Sequence, residues 1–428
     1  MAEPSLRQTA TSDGRTLRSV YGQPLEMLST PSRTGGGQIL SWMIPAARPG
    51  PERDLAEFME RLVRRYEGPA LIFDVAMLEQ KLLALADIHA RYRCHFLAPV
   101  KSFPNAVFLN LAARHLSGFD VSNLEEYRAL PRDLSGKTVA LAGPILRADE
   151  LPRFLDRGNA LVVYVDSLHQ LAQIEECRSP LDYGVRVDSA RLLKRRVHER
   201  GQRCRHSRFG LSGEELLAVR PRLEGSQHRF VGVLVHHASE ENTAETYLAL
   251  VEELQALLAG LDLSVHDINL GGGEHHLDLD SLAALACRIR KSLGEDIGLS
   301  LEPGRLLTEA AGYAVGRVEN WRTRGDAVEY VLDLSMDCHL RWSKPTLIVP
   351  RPSDPGRPMR ARFYGPTCHE ADNLGEHHVW SNRAGEPPFL PGDLVLFGNV
   401  SGYSASIRTS FNGVAPPPVH FLNEPIGE

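Results

Sequence analysis

Between about residue 65 and residue 305, short apolar runs alternate with stretches of helical periodicity, and that alternation restricts the fold more than any other feature. The runs predicted as strands are Ala70–Asp74, Cys94–Val100, Gly118–Val121, Thr138–Ala142, Leu161–Val165, Tyr183–Val187, Val231–His236, Val265–Leu270 and Gly298–Leu301. Among the helical stretches, Thr243 to Ala259 sets Tyr247, Leu248, Leu250, Val251, Leu254, Leu257 and Leu258 on one wide apolar stripe, and Leu279 to Leu293 repeats the pattern. Repeated strand–helix units imply a parallel sheet. Eight or nine of them over about 240 residues match a closed (β/α)8 barrel.

After Arg305 the pattern changes to apolar alternation without long helices, in Ala314–Trp321, Ala327–Leu334, Thr346–Val349, Ala361–Tyr364 and Leu394–Phe397. Pro-rich breaks separate some of these, so a second, mostly antiparallel β domain is expected. The chain of 428 residues thus divides into an N-terminal segment over 1–50, a barrel over 51–305 and a β domain over 306–428. The N-terminal segment is polar, reads as partly mobile, and offers Gln38 to Met43 as an extra strand for the β domain. It lacks the apolar core of a secretory signal.

A net charge of −6 argues against a nucleic-acid partner. No run of eighteen apolar residues suggests a membrane span. The six cysteines are scattered without a CxxC pair, so neither a zinc site nor a disulfide framework is expected, and a reducing cytoplasm is the simplest setting. His275/His276 and His377/His378 lack metal-ligand spacing on one face. Arg186 to Arg208 holds nine Lys and Arg residues. It reads as a solvated loop or as a surface for an anionic substrate or carrier.

The polar motifs fall at the C-terminal ends of predicted strands, where barrels of this type gather reactive groups. Lys101 ends one strand. A buried ammonium there would tend to lose its proton and become a nucleophile for aldehydes. Asp120 and Ser122 end a second strand. His236 ends a third, and since neighbours on a strand point to opposite faces, only one of His236 and His237 faces the mouth. Gly271, Gly272 and Gly273 follow a fourth; glycines let backbone N–H groups approach a phosphate, although such a triplet also serves as a flexible turn. Glu302 ends a fifth, with Arg305 three residues on. The pair suits a pyridine nitrogen and a phosphate, or a structural ion pair. In the β domain, Cys368 follows a Gly-Pro turn, and Tyr403 offers a hydroxyl.

In order along the chain, Val100-Lys101-Ser102, Gly118-Phe119-Asp120-Val121-Ser122, Ala142-Gly143-Pro144, Ser207-Arg208-Phe209-Gly210, Val235-His236-His237-Ala238-Ser239, Gly271-Gly272-Gly273, Glu302-Pro303-Gly304-Arg305, Gly365-Pro366-Thr367-Cys368 and Ser410-Phe411-Asn412-Gly413 resemble the fold-type III pyridoxal-phosphate decarboxylases, the group of ornithine and diaminopimelate decarboxylases. The resemblance spans roughly residues 65 to 415. It implies an alanine-racemase-like barrel with a β domain, pyridoxal 5′-phosphate as cofactor, and a homodimer with shared active sites. It implies Lys101 as the Schiff-base lysine, His236 stacked on the ring and Glu302 at the pyridine nitrogen. Asp120 and Ser122 would line the cofactor site. Ser239, Gly271 to Gly273, Arg305 and Tyr403 would hold the phosphate. Cys368, reaching in from the partner chain, would protonate the carbanion.

The substrate end departs from this group, in which an acidic residue usually follows the cysteine and meets the distal amine. Here His369 stands in that place, with Glu370 next and Asp372 beyond. Asp333 to Arg341 resembles the diaminopimelate-type stretch, with Arg341 where an arginine meets a substrate carboxylate. The expected activity is α-decarboxylation of a diaminopimelate-like amino acid or of a large or acidic conjugate, such as a siderophore or antibiotic intermediate carried on a protein. Two alternatives stay open: a racemase on the same fold, and a non-catalytic pyridoxal-phosphate-binding or regulatory homologue.

Overall fold

The computed structural model describes residues 68–193, 207–224, 227–237, 242–274, 277–348, 357–381 and 387–422. Gln38–Met43, His275, His276, Ser239 and most of the basic stretch therefore lie outside the described residues. Those described form two compact units, one within 78–307 and the other combining residues up to 77 with those from 308 onward.

The first unit is a closed barrel of eight parallel strands. They are β2 (Cys94–Pro99), β3 (Gly118–Val121), β4 (Thr138–Leu141), β5 (Ala160–Val165), β6 (Asp182–Arg186), β7 (Arg229–Leu234), β8 (Asp267–Asn269) and β9 (Gly298–Leu301). β9 closes onto β2 through the pairs Cys94↔Leu299 and Phe96↔Leu301. The apolar stripe of Ala244–Gly260 buries Tyr247, Leu250, Val251 and Leu254, and the helix starts where Thr243 Oγ1 accepts the Thr246 N–H. Leu279–Leu293 starts likewise, with Asp278 accepting the Ser281 N–H at 2.7 Å. Each cap satisfies an amide with no partner inside the helix.

The ninth expected barrel strand, β1 (Ala70–Asp74), belongs to the second unit, which corrects the assignment of its residues to the barrel. It pairs antiparallel with β10 (Gly312–Arg324), Ala70 opposite Val315, and parallel with β16 (Val419–Leu422). All five of its residues are buried. A strand covered on both faces reads as a continuous apolar run in either setting, so the sequence pattern does not discriminate. The remaining strands are β11 (Ala327–Leu332), β12 (Thr346–Ile348), β13 (Pro358–Tyr364), β14 (Asn373–Trp380) and β15 (Leu394–Gly398). The sheet path runs β12-β15-β10-β11-β13-β14, antiparallel except where β11 meets β13. No helix among the described residues is long and apolar enough to cross a membrane.

Candidate active site

Seven barrel strands deliver polar side chains at or just beyond their C-terminal ends. β2 runs into a single 3-10 turn, Val100–Ser102, closed by Ser102 Oγ donating to the Pro99 carbonyl at 2.7 Å. Lys101 sits in this turn with its side chain 44% exposed, and its ammonium pairs with Asp120, which is 1% exposed on β3. The expected buried ammonium is thus half exposed and neutralised. The register that sets Pro99 opposite Asp120 brings the carboxylate to it.

His236 lies two residues beyond β7 and is half-buried as a residue. The Gly272 N–H donates to its Nδ1 at 3.0 Å, so the neutral imidazole carries its proton on Nε2. Burial, with Arg186, Lys101 and His237 adding to it, pushes this ring down to about 3. Gly271 adopts φ +66°, and a Cβ there would fall 2.5 Å from His236 Nδ1. A Cβ on Gly272 would fall 2.4 Å from the Glu302 carbonyl oxygen. These two glycines are imposed by close packing, not by a need for looseness.

Glu302 is 8% exposed and accepts from Asn269 Nδ2 at 2.8 Å. Burial and Asp120 push its carboxyl upward, while Lys101, the Asn269 bond and Arg186 hold it down. Arg305 opens the short helix Arg305–Thr308. The Ser122 N–H donates to Glu126 Oε2 at 2.7 Å.

Sequence reading named Arg186 and Arg208 as the bounds of the basic stretch and Arg208-Phe209-Gly210 as a motif, but gave none of them a place in this group and did not name Asp166. Arg186, the last residue of β6, stacks its guanidinium 4.2 Å from the Phe209 ring, and Arg208 stacks 4.1 Å from it. Asp166, just beyond β5, approaches Arg186 at 3.9 Å and accepts the Gly210 N–H at 2.7 Å. Arg186 is only 13% exposed, so at this end the basic stretch is not a solvated loop. Inspecting the C-terminal end of each predicted strand, including the two without an obvious motif, would have found Arg186 and Asp166.

The second unit holds the other residues singled out. Cys368, His369 and Glu370 are exposed on the loop between β13 and β14, and the Cys368 N–H donates to Asn412 Oδ1 at 3.1 Å. His369 Nδ1 pairs with the Asp337 carboxylate. Arg341 is exposed, and the neighbouring Trp342 ring lies 5.3 Å from that of Tyr403. Asp372, expected to bind substrate, is 2% exposed. Its carboxylate accepts from Ser335 Oγ at 3.0 Å, the Met336 N–H at 2.7 Å and Thr367 Oγ1 at 2.7 Å. With its lone pairs filled, it fastens the cysteine loop to the Ser335–Arg341 stretch and has no capacity left for a ligand.

A sequence model of the family described as "Pyridoxal-dependent decarboxylase, pyridoxal binding domain" matches residues 75–309. The chain is 26% identical to a diaminopimelate decarboxylase of Pseudomonas aeruginosa, over 83% of this chain and 87% of that one. It is 24% identical to a lysine/ornithine decarboxylase of Selenomonas ruminantium, over 86% and 93% respectively. The fold is similar to the crystal structure of a Vibrio vulnificus lysine/ornithine decarboxylase complexed with cadaverine, with TM-score 0.69, 21% identity, and coverage of 87% of this chain and 99% of that one.

Proposed function

Because the chain belongs to the pyridoxal-dependent decarboxylases, we propose that it removes the α-carboxylate of an amino acid whose far end is large or acidic, with Lys101 as the covalent anchor of the cofactor. That it is an amino-acid decarboxylase, a carboxy-lyase dependent on pyridoxal phosphate, follows from the family and its relatives.

The residues present fit the cofactor. The glycine turn is one that a Cβ at Gly271 or Gly272 would fill, a buried carboxylate stands at Glu302, and an amine stands at the end of β2. When bound, pyridoxal phosphate supplies the electron sink for the pair left on Cα as CO2 departs. Lys101 Nζ would hold its aldehyde end, and the Asp120 carboxylate would pair with the ammonium whenever the lysine is free. His236, neutral and oriented by Gly272, offers a flat ring for stacking. Glu302 would hold a proton at the pyridine nitrogen. Gly271 to Gly273, Ser239, Arg305 and Tyr403 would bind the phosphate, and Ser122 would line the cofactor site. Cys368 Sγ, contributed across a homodimer, delivers the proton that replaces CO2.

At the substrate end, His369 and Arg341 present an imidazole and a guanidinium, and Glu370 adds a carboxylate. That set favours a distal carboxylate over a bare amine, as in a diaminopimelate-like amino acid or a siderophore or antibiotic intermediate, including one borne on a carrier protein. The observation that carries the reading is the Lys101–Asp120 pair at the end of β2. The test is CO2 release and mass spectrometry of product from a panel of basic, acidic and conjugated amino acids. Fastest turnover of plain ornithine would refute the proposed substrate class, while borohydride labelling of a side chain other than Lys101 would refute the anchor.

A further inference from the structure

Centres of closed barrels are ordinarily filled by layers of branched apolar side chains. Here a polar file crosses that interior. Asp267 and Asn269 lie two apart on β8, so they share a face, as do Ser300 on β9 and Glu302 just beyond it. The register sets Asn269 opposite Ser300. From β5, the Tyr164 hydroxyl donates to Asp267 Oδ2 at 3.0 Å and meets the Asn269 side chain. Asn269 is fully buried.

The orientation of its amide is settled by chemistry. The Gly271 N–H can only donate, and it reaches Asn269 Oδ1 at 2.9 Å. The other end must then be Nδ2, which donates to Glu302 Oε1 at 2.8 Å. A buried amide with both ends engaged is costly to assemble and strict once assembled. An aspartate at this position would keep the bond to Gly271, lose the donor, and add a second buried carboxylate against Glu302.

We propose that Asn269 is a positioning residue: its amide holds Glu302 as a carboxylate and ties it to the Gly271 turn, with Tyr164 and Asp267 bracing the amide from within the barrel. The proposal rests on the reading that Glu302 faces the pyridine nitrogen. The charges acting on Glu302 come from several elements. Asp120 on β3 favours its protonation; Lys101 after β2 and Arg186 on β6 oppose it; Glu274 beyond the glycine turn is a buried acid that keeps its own proton and adds no charge. The Asn269 donor is the uncharged member of the opposing set, and removing it tips the balance toward the neutral acid.

The test uses holoenzyme reconstituted with pyridoxal phosphate carrying heavy nitrogen in its ring. In Asn269→Leu, the protonated-pyridine NMR signal should weaken at neutral pH relative to wild type. In Asn269→Leu and Asn269→Asp alike, kcat should fall about tenfold with KM changed less than about twofold. The acid limb of the kcat profile should rise by about one pH unit, the size of one hydrogen bond to a charged group. Asn269→Asp preserves the Gly271 bond and decides the matter if Asn269→Leu retains no cofactor. An unmoved acid limb in Asn269→Asp, with Glu302→Gln reducing kcat at least about tenfold, overturns the role of Asn269 alone. A Glu302→Gln enzyme with undiminished kcat overturns the assignment of Glu302 and this proposal with it.

Discussion

Glu274 follows the glycine turn at 1% exposure, and burial pushes its carboxyl up to about 8 from an ordinary value of 4.5. The folded chain therefore keeps a proton there that the unfolded chain gives up. Stability from this residue is complete below about pH 4.5 and is lost as pH rises toward 8, by about 1.4 kcal/mol per pH unit. Glu274→Gln should remove the loss, so its melting temperature should pull ahead of wild type progressively between pH 5 and 8 in a calorimetric series. A difference independent of pH would show that the side chain is charged when folded. At Gly271, alanine meets both a positive φ and the His236 ring. Gly271→Ala should cost about 1–3 kcal/mol in urea unfolding and weaken pyridoxal-phosphate binding in equilibrium dialysis. The sequence reading identified the glycine triplet, but the reason for its first member is a histidine thirty-five residues earlier in the chain. Lys101 was identified by its place at a strand end, whereas its partner Asp120 depended on a register between strands.

At the scale of elements, Asp372 joins two segments whose residues were each predicted to act on substrate. Asp372→Ala should strand the Ser335, Met336 and Thr367 donors and destabilise the protein by about 3 kcal/mol in denaturant titration. The Cys368 loop should loosen with it, so alkylation of Cys368 should change in rate while Lys101 stays competent for borohydride trapping. Helices were the most legible elements because an amphipathic stripe repeats over several turns. β14 escaped notice because its sequence, Asn373-Leu374-Gly375-Glu376-His377-His378-Val379-Trp380, mixes polar and apolar residues. Its place is held in part by Glu376, which accepts from Arg360 Nε at 2.8 Å and Arg362 Nε at 2.7 Å across the neighbouring β13. Those pairings exist only once the sheet has formed.

For the whole molecule, the proposed homodimer with active sites shared between subunits makes a quantitative prediction. Neither Lys101→Ala nor Cys368→Ala homodimers contain an intact site. After the two proteins are mixed and reassorted, half of the dimers are mixed and each has one intact site of two. Activity should then return to about a quarter of the wild-type value. No recovery, with exchange verified by mass spectrometry, would show that each chain completes its own site. The sequence by itself determined the alternation that builds the barrel, the change of pattern after Arg305, and the run of motifs at strand ends, because periodicity and strand-end chemistry are properties of short stretches. The tertiary structure decided that β1 joins the second unit, that Asp372 is a fastening, and that Arg186, Asp166 and Asn269 stand with the barrel residues. Each of these depends on which distant backbone or charge a residue meets, and that is set by strand register and burial rather than by neighbours in the chain.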